Sequence, residues 1–592
     1  MGKTTHKPGA GWVRQALMAS ALSATVTLGG MAVPTPAFAV TYGNGTLTIN
    51  QSHNAQATYD GYRVFRAVVD TEDKATDIVW DNDATKSAVL AYLDGQGYAA
   101  WLSSNGHTGT GAHDIAQNAA GFISEKVLSS ATDTDAGTTP RTTVGSSFAS
   151  GLARALVTAS TASTGAISKV SGTPVSTGQQ FSGTEGYYLF VTTDSTIGDN
   201  EAGTAPIWVA ISSAKPKTIA EKSAIPSLVK TVREDSNNTY GLWSDANLNQ
   251  GIQYRLEGSV AQNVQSYAKY YYQFVDSMQG LEMSEAELGG VVVKVNGEDV
   301  TQVVKTKTGN NAITFAGGTL TVTINDLLDL GKTITKDTKV VVEYTAHLNG
   351  SATIGGNGNP NTAYVRYSSN PAVATNPAAA ATSPESVGNS TDKTPDQITK
   401  AFTFDLEITK VDQDTREVLS GAKFTLQVAN SSTDAGSKGK YVQANGSLGA
   451  TAYEFTTDAN GKIDVPRIDE GVYVLHETTP PASHKPLAQD VTITIGREYN
   501  SSGSLTGLTA QVSGGNNLFV QNPSASQDGI TGADYASGKA SLRVSDKLET
   551  YLPGTGLTMT QAGVAFGGVC VVIGLVGIIR YRKRGTDDGE RD

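Results

Sequence analysis

The sequence predicts a mainly β protein, built as tandem β-sandwich domains of which the first carries helical insertions. Three observations predict it. Gly, Thr, Ser, Ala and Val dominate while charged residues make up only 17%, a profile of extracellular β-domains rather than of helical or disordered chains. Apolar and polar residues alternate with period two at Val291–Val295, Leu320–Ile324 and Lys339–Tyr344, as half-buried strands require. Gly-Asn and Asn-Gly pairs punctuate these runs with turns. A length of 592 residues allows about three or four domains.

The N-terminus has Lys3, Lys7 and Arg14, an apolar small-residue stretch from Ala16 to Val33, and Ala37-Phe38-Ala39. That order reads as a secretory signal peptide over 1–39, cleaved before Val40. Residues 40–216 form the first domain. It opens with the strand-like Gly45–Ile49, continues through helical segments near Ala84–Leu93, Asp114–Leu128 and Ser147–Thr158, and closes with strands at Gly186–Thr192 and Ala205–Ile211. Residues 217–370 read as an all-β sandwich. An Ala, Pro, Ser, Thr and Asn-rich stretch assigns 371–399 to a linker. Residues 400–547 hold short, turn-separated strands of a further sandwich.

Residues 548–592 close the chain. Leu552-Pro553-Gly554-Thr555-Gly556 precedes an apolar run from Ala562 to Ile579, then Arg580, Arg582, Lys583 and Arg584. The run is about long enough for a short membrane helix, with the basic cluster on its cytoplasmic side. This pentapeptide, apolar stretch and basic tail resemble the cell-wall sorting signal of sortase substrates in Gram-positive bacteria. The resemblance implies that a sortase cysteine attacks the Thr555 carbonyl and passes the acyl group to an amine.

Composition removes several classes. A net charge of −12 argues against nucleic acid as a partner. The one cysteine, Cys570, lies in the apolar tail, so the body has no disulfide. Seven scattered histidines show no metal-ligand spacing, and neither a phosphate loop nor a dinucleotide fingerprint occurs. No metal, cofactor or enzymatic turnover is expected.

Two motif sets carry chemistry. Leu406-Glu407-Ile408-Thr409-Lys410-Val411-Asp412, then Leu419–Phe424, and Tyr473-Val474-Leu475-His476-Glu477-Thr478-Thr479-Pro480-Pro481 resemble the opening strand and the acidic box of CnaB-type domains in Gram-positive pilins. Period two puts Leu406, Ile408 and Lys410 on one face. Burial of an amine favours its neutral, nucleophilic form, and burial of a carboxyl favours the protonated form. The resemblance implies an intramolecular amide from Lys410 to a residue of the last strand, assisted by Glu477. No Asn stands on Ala540–Asp546, so it points to Asp546, with Asn522 as the alternative. Ile225–Val232, Phe274–Met278 and Asn361–Pro371 likewise resemble the middle domain of shaft pilins, an expectation of a Lys230–Asn361 bond with Asp276 assisting. The implied fold is immunoglobulin-like, of CnaA and CnaB type. The first domain, with no Lys on its opening strand, is expected to lack such a bond.

Such shaft subunits take the sortase acyl group on a lysine between their first two domains. Lys215-Pro216-Lys217 resembles that motif in place and in its Pro-Lys, with Lys217 the candidate and Lys222 second. The expected function is therefore a pilus shaft subunit at the cell surface, used in adhesion. Its expected partners are pilus-specific and housekeeping sortases, identical subunits, minor pilins and peptidoglycan, with host matrix or glycans as candidate ligands. A monomeric wall adhesin or a minor basal or tip pilin is the alternative.

Overall fold

The computed structural model describes residues 40–50, 57–130, 147–161, 175–176, 180–198, 200–221, 223–373, 390–514 and 533–549. The signal segment 1–39, Lys222, Asn522, Leu552–Gly556, the apolar tail and Cys570 lie outside them. Among the described residues no helix is long and apolar enough to cross a membrane.

Among the described residues six sheets stack in three pairs. In the first, a sheet of Gln180–Thr184, Asn44–Asn50 and Lys217–Ala220 faces a sheet built around Thr58–Val69 and Gly186–Thr192. Leu47, Ile49, Tyr59, Phe181, Tyr188, Phe190 and Ile207 fill the space between them. Helices Asp83–Asp94, Tyr98–Ser104, Ala116–Ser130 and Ser147–Thr161 bury Val89, Leu93, Phe122, Ile123 and Leu152 with Tyr62, Phe65 and Leu189 of that second sheet. The first helix begins where the Asn82 side chain accepts from Thr85 N at 2.8 Å, an N-cap. Three helices fall on the expected insertions. Tyr98–Ser104 was not expected, because seven residues give too short a pattern to read.

In the second pair, Leu228–Glu234, Gly251–Ser259 and Lys339–Leu348 lie in one sheet and Tyr272–Met278, Asn359–Ser368 and Gln397–Phe402 in the other. Within 391–399, expected as the end of a linker, all but residues 394–396 are sheet instead. Thr391–Lys393 and Gln397–Phe402 both pair antiparallel with Asn359–Ser368. Their backbone satisfies a ladder edge, which outweighs a composition poor in apolar side chains. Similarly, the boundary read at 216/217 cuts off a strand of the first sheet, since Lys217–Ala220 pairs parallel with Leu47–Asn50.

Gln397–Phe402 passes through Thr403 directly into Phe404–Asp412, the central strand of the third pair. That strand lies between Lys462–Ile468 and, in parallel, Lys539–Asp546. The facing sheet holds Lys423–Val428, Gly471–Thr479, Val491–Tyr499 and Leu505–Gly514. Gly355 (φ 58°) and Gly538 (φ 69°) bring the second and third pairs into backbone contact; a Cβ on Gly355 would stand 2.2 Å from the Gly538 Cα, so both positions require glycine.

Candidate functional site

The middle site is assembled from both sheets. Alternation along Leu228–Glu234 turns Leu228, Lys230 and Val232 inward, and Lys230 is 1% exposed. From the facing sheet, Tyr272–Met278 contributes Asp276, and the neighbouring strand sets Asn361 opposite Met278; both side chains are fully buried. The Lys230 Nζ lies 2.6 and 2.5 Å from the two Asp276 oxygens. Asn361 is brought to the pair through Tyr344. This hydroxyl donates to Asp276, accepts from Asn361 Nδ2 at 2.8 Å and lies 3.3 Å from Lys230 Nζ. Asn361 Oδ1 is buried with no hydrogen-bond donor. Tyr254 and Tyr344, stacked at 5.2 Å, line the amine's surroundings with ring centroids 5.4 and 5.9 Å away. Burial pushes the Lys230 amine down to about 8 against the pull of Asp276, so a sizeable neutral fraction exists near neutrality.

Sequence reasoning missed Tyr344. Its signal was present, for Val340, Val342, Tyr344, Ala346 and Leu348 are the buried positions of one strand, and a phenol among aliphatics needs a polar partner.

The C-terminal site is built within one sheet and closed from the other. Lys410 and Asp546 sit on adjacent parallel strands, in register Lys410↔Val544 and Asp412↔Asp546. The amine is fully buried, 2.5 Å from Asp546 Oδ1 and 2.9 Å from Glu477 Oε1. Glu477 comes from the facing sheet, with its side chain 1% exposed, and its other oxygen accepts from Leu487 N at 2.8 Å. The Phe424 ring lies 5.2 Å from the amine. Burial raises the Asp546 carboxyl to about 6 despite Lys410, and the charge of the neighbouring Glu477 adds to the rise. Asp546 Oδ2 is buried with no hydrogen-bond partner among the described residues.

Lys217 was expected between the first two domains. It is 5% exposed, at the start of a strand, and its Nζ donates to Asp73 of the hairpin turn between Thr58–Val69 and Ala75–Trp80. Parallel pairing with Leu47 turns its side chain inward, whereas Lys215 and Pro216 are exposed.

A further cluster spans the second and third pairs. Arg497 Nε lies 2.9 Å from Asp245 Oδ2, and Nη2 lies 2.9 Å from Glu234 Oε1 and 3.3 Å from Glu470 Oε1. The guanidinium stands 4.9 Å over the Trp243 ring. The three carboxyls are close enough to share one cation, and Arg497 occupies that place.

Residues 404–506 match the family model of the SpaA prealbumin-like fold domain. The match contains Lys410 and Glu477 and stops short of Asp546. No curated protein sequence matches. Among solved structures, the T6 backbone pilin of serotype M6 Streptococcus pyogenes aligns at 15% identity and a TM-score of 0.47, covering 85% of this chain and 98% of that one. The full-length major pilin SpaD from Corynebacterium diphtheriae aligns at 13% and 0.39, covering 86% and 98%. The Corynebacterium diphtheriae major pilin SpaA aligns at 14% and 0.38, covering 85% and 100%.

Proposed function

We propose that this chain is a structural shaft subunit of a covalently polymerised surface pilus, with a sortase joining Thr555 of one subunit to Lys217 of the next. It is secreted by way of residues 1–39 and reaches the cell wall through the 552–584 sorting signal. The observation that carries the reading is the Lys410–Asp546–Glu477 contact, a buried amine against a buried carboxyl with a second acid beside it. A carboxyl that holds its proton is an electrophile for an amine, and a stable ion pair has no need of the second acid.

In this reading the neutral Lys410 amine attacks the Asp546 carbonyl carbon. Glu477 takes a proton from the nitrogen and returns it to the departing hydroxyl, so that water leaves and an amide remains. In the middle site Lys230 attacks the Asn361 carboxamide, Asp276 carries the proton, Tyr344 orients the amide, and ammonia leaves. Each closure happens once per chain and turns over no substrate. Lys410 and Asp546 are 136 residues apart, and Lys230 and Asn361 about as far. Closing loops of roughly that length stabilises by about 4–5 kcal/mol each in the chain-entropy treatment of cross-links.

The polymer junction fixes the path of tension, which enters at Lys217, crosses the two amides and leaves at Thr555. Residues 40–216 lie outside that covalent path, consistent with an uncross-linked first domain. A nucleophile near one end and an electrophile at the other give a head-to-tail contact that repeats without closing.

Intact mass of the mature chain tests the amides. Loss of one ammonia and one water lowers it by about 17 and about 18 Da, together about 35 Da. An unshifted mass removes both bonds. A high-mass ladder in wall extracts, absent in Lys217→Ala, tests the shaft. A ladder that survives Lys217→Ala favours Lys222 as the acceptor, and a wild-type chain with no ladder favours a monomeric adhesin.

A further inference from the structure

We infer that Asp73 is the acid–base partner of the inter-subunit amine: it holds the Lys217 ammonium before the junction forms and takes its proton when the amine attacks. This rests on the reading of Lys217 as the sortase acceptor. A surface lysine in solvent can donate its proton to water. Lys217 is 5% exposed and gives its hydrogen bond to Asp73, whose side chain is 23% exposed. The carboxylate thus has one side on the amine and one side on solvent, which is the position of a proton relay.

The turn that carries Asp73 is held in several ways. Asp70 Oδ1 accepts from Glu72 N at 2.8 Å and Lys74 N at 2.9 Å, an Asx arrangement that fixes the loop from within. Asp70 N donates to Lys74 O at 3.0 Å and Asp73 N to Asp70 O at 3.3 Å. Asp73 itself is left-handed, with φ 65°, a conformation that disfavours non-glycine residues. From outside the turn, the Tyr187 hydroxyl donates to Asp73 O, and its ring stacks on Trp208 at 5.8 Å. A charged side chain held this firmly over a buried ammonium restricts the amine to one direction of approach.

The step balances as follows. The sortase brings Thr555 as a thioester on its cysteine. Lys217 passes one proton of its ammonium to Asp73, and from there to solvent. The neutral amine attacks the thioester carbonyl, the carbon–sulfur bond breaks, and the departing thiolate takes the second proton of the nitrogen. An amide and a free thiol result, with no net oxidation.

The test is a polymerisation assay on purified full chains with the pilus sortase. It follows ladder formation and, separately, sortase acylation as release of Thr555 to hydroxylamine. Lys217→Ala should abolish the ladder, while Lys215→Ala leaves it unchanged. Asp73→Asn should slow ladder formation at least tenfold in kcat, with acylation at the wild-type rate, and Asp73→Glu should restore most of the lost rate. A purely structural turn residue would instead give the same loss in Asn and Glu variants, or a loss in KM alone, and either result overturns the inference. Wild-type kcat in Asp73→Asn with Lys217→Ala inactive also overturns it, leaving the acceptor assignment standing. A ladder that persists in Lys217→Ala overturns the acceptor assignment itself.

Discussion

The two lysine sites use one kind of chemistry to connect different things. Lys230 and Asn361 sit on opposite sheets of a sandwich, so an amide there staples the two layers. Lys410 and Asp546 sit on neighbouring strands of one sheet, so theirs fastens the strand that opens a domain to the strand that closes it. The acceptors differ too. In the middle site the acid, Asp276, pairs with the amine as a charged partner, and the Asn361 amide reaches it through the Tyr344 hydroxyl. In the C-terminal site the acceptor is itself an acid, its carboxyl raised by burial and by the charge of Glu477. The helper therefore stands between an amine and a phenol in one site and beside an amine and a second carboxyl in the other.

Removing the amine should separate the sites most. Lys230→Ala leaves the buried Asp276 carboxyl without the amide N–H that the cross-link offers it, a loss of about 1–3 kcal/mol, in addition to the about 4–5 kcal/mol lost with the cross-link. Lys410→Ala leaves two carboxyls that can share a proton, so chiefly the cross-link term is lost. Differential scanning calorimetry should show the Lys230 variant melting lower than the Lys410 variant. A drop of about 10–20 °C for Lys410→Ala follows from the loop term for domains of this size. Equal drops would mean that Asp276 does not depend on that N–H.

Replacing the helpers acts on the bonds without deleting the lysines. Asp276→Ala and Glu477→Ala should each block one closure, leaving the intact mass about 17 Da and about 18 Da respectively above that of the mature chain once the mass of the substitution itself is allowed for. Trypsin, which cleaves after free lysine, should then cut after Lys230 or Lys410 in the unfolded variant and leave both sites intact in the unfolded parent. If the mass of either variant equals that of the parent apart from the substitution, the helper is dispensable.

Exchanging the acceptor sharpens the comparison further. Asp546→Asn makes the C-terminal acceptor resemble the middle one. The bond should still form, with ammonia rather than water leaving, so the product mass equals that of the mature wild type. Were Asn522 the acceptor, Asp546→Asn would lower the mass of the product by about 1 Da relative to wild type, and fragmentation would place the link at 522.

What could be read in the sequence was what lies along single strands. Alternation at 406–410 and 228–232 exposes Lys410 and Lys230 as lysines on apolar faces, and the helical insertions show by their small apolar repeats. What could not be read depends on pairings made across the fold. Tyr344 joins Asp276 to Asn361 only when two sheets face each other, and Asp73 meets Lys217 only because Lys217–Ala220 adds in parallel to Leu47–Asn50. Gln397–Thr399 looked like linker because ladder hydrogen bonding leaves no trace in hydropathy. Arg497 reads as an exposed strand arginine until Asp245, Glu234 and Glu470 are brought to it from outside its own strand.

That Arg497 cluster gives the smallest expected effect, and it is where the pH dependence of the mature chain should reside, since amide formation removes Lys230, Lys410 and Asp546 from titration. Burial raises Asp245 and Asp469 well above the usual carboxylate range, and burial with the neighbouring Glu234 raises Asp235 to about 7. A carboxyl with a raised folded pKa binds more protons folded than unfolded. Its stabilising contribution is complete below about pH 4 and is lost as pH rises through about 7. The junction between the second and third sandwiches should therefore melt about 2–4 °C lower at pH 8 than at pH 5, an effect on the order of 1 kcal/mol. Asp235→Asn should flatten this slope, because it removes the group that titrates nearest neutrality while leaving Arg497 its bonds to Asp245 and Glu234. A junction that grows more stable from pH 5 to pH 8 would mean that the ionised pairing with Arg497 outweighs repulsion among the acids. The cluster would then be a salt-bridge lock strongest at neutral pH, and raising salt concentration rather than pH would be the way to open it.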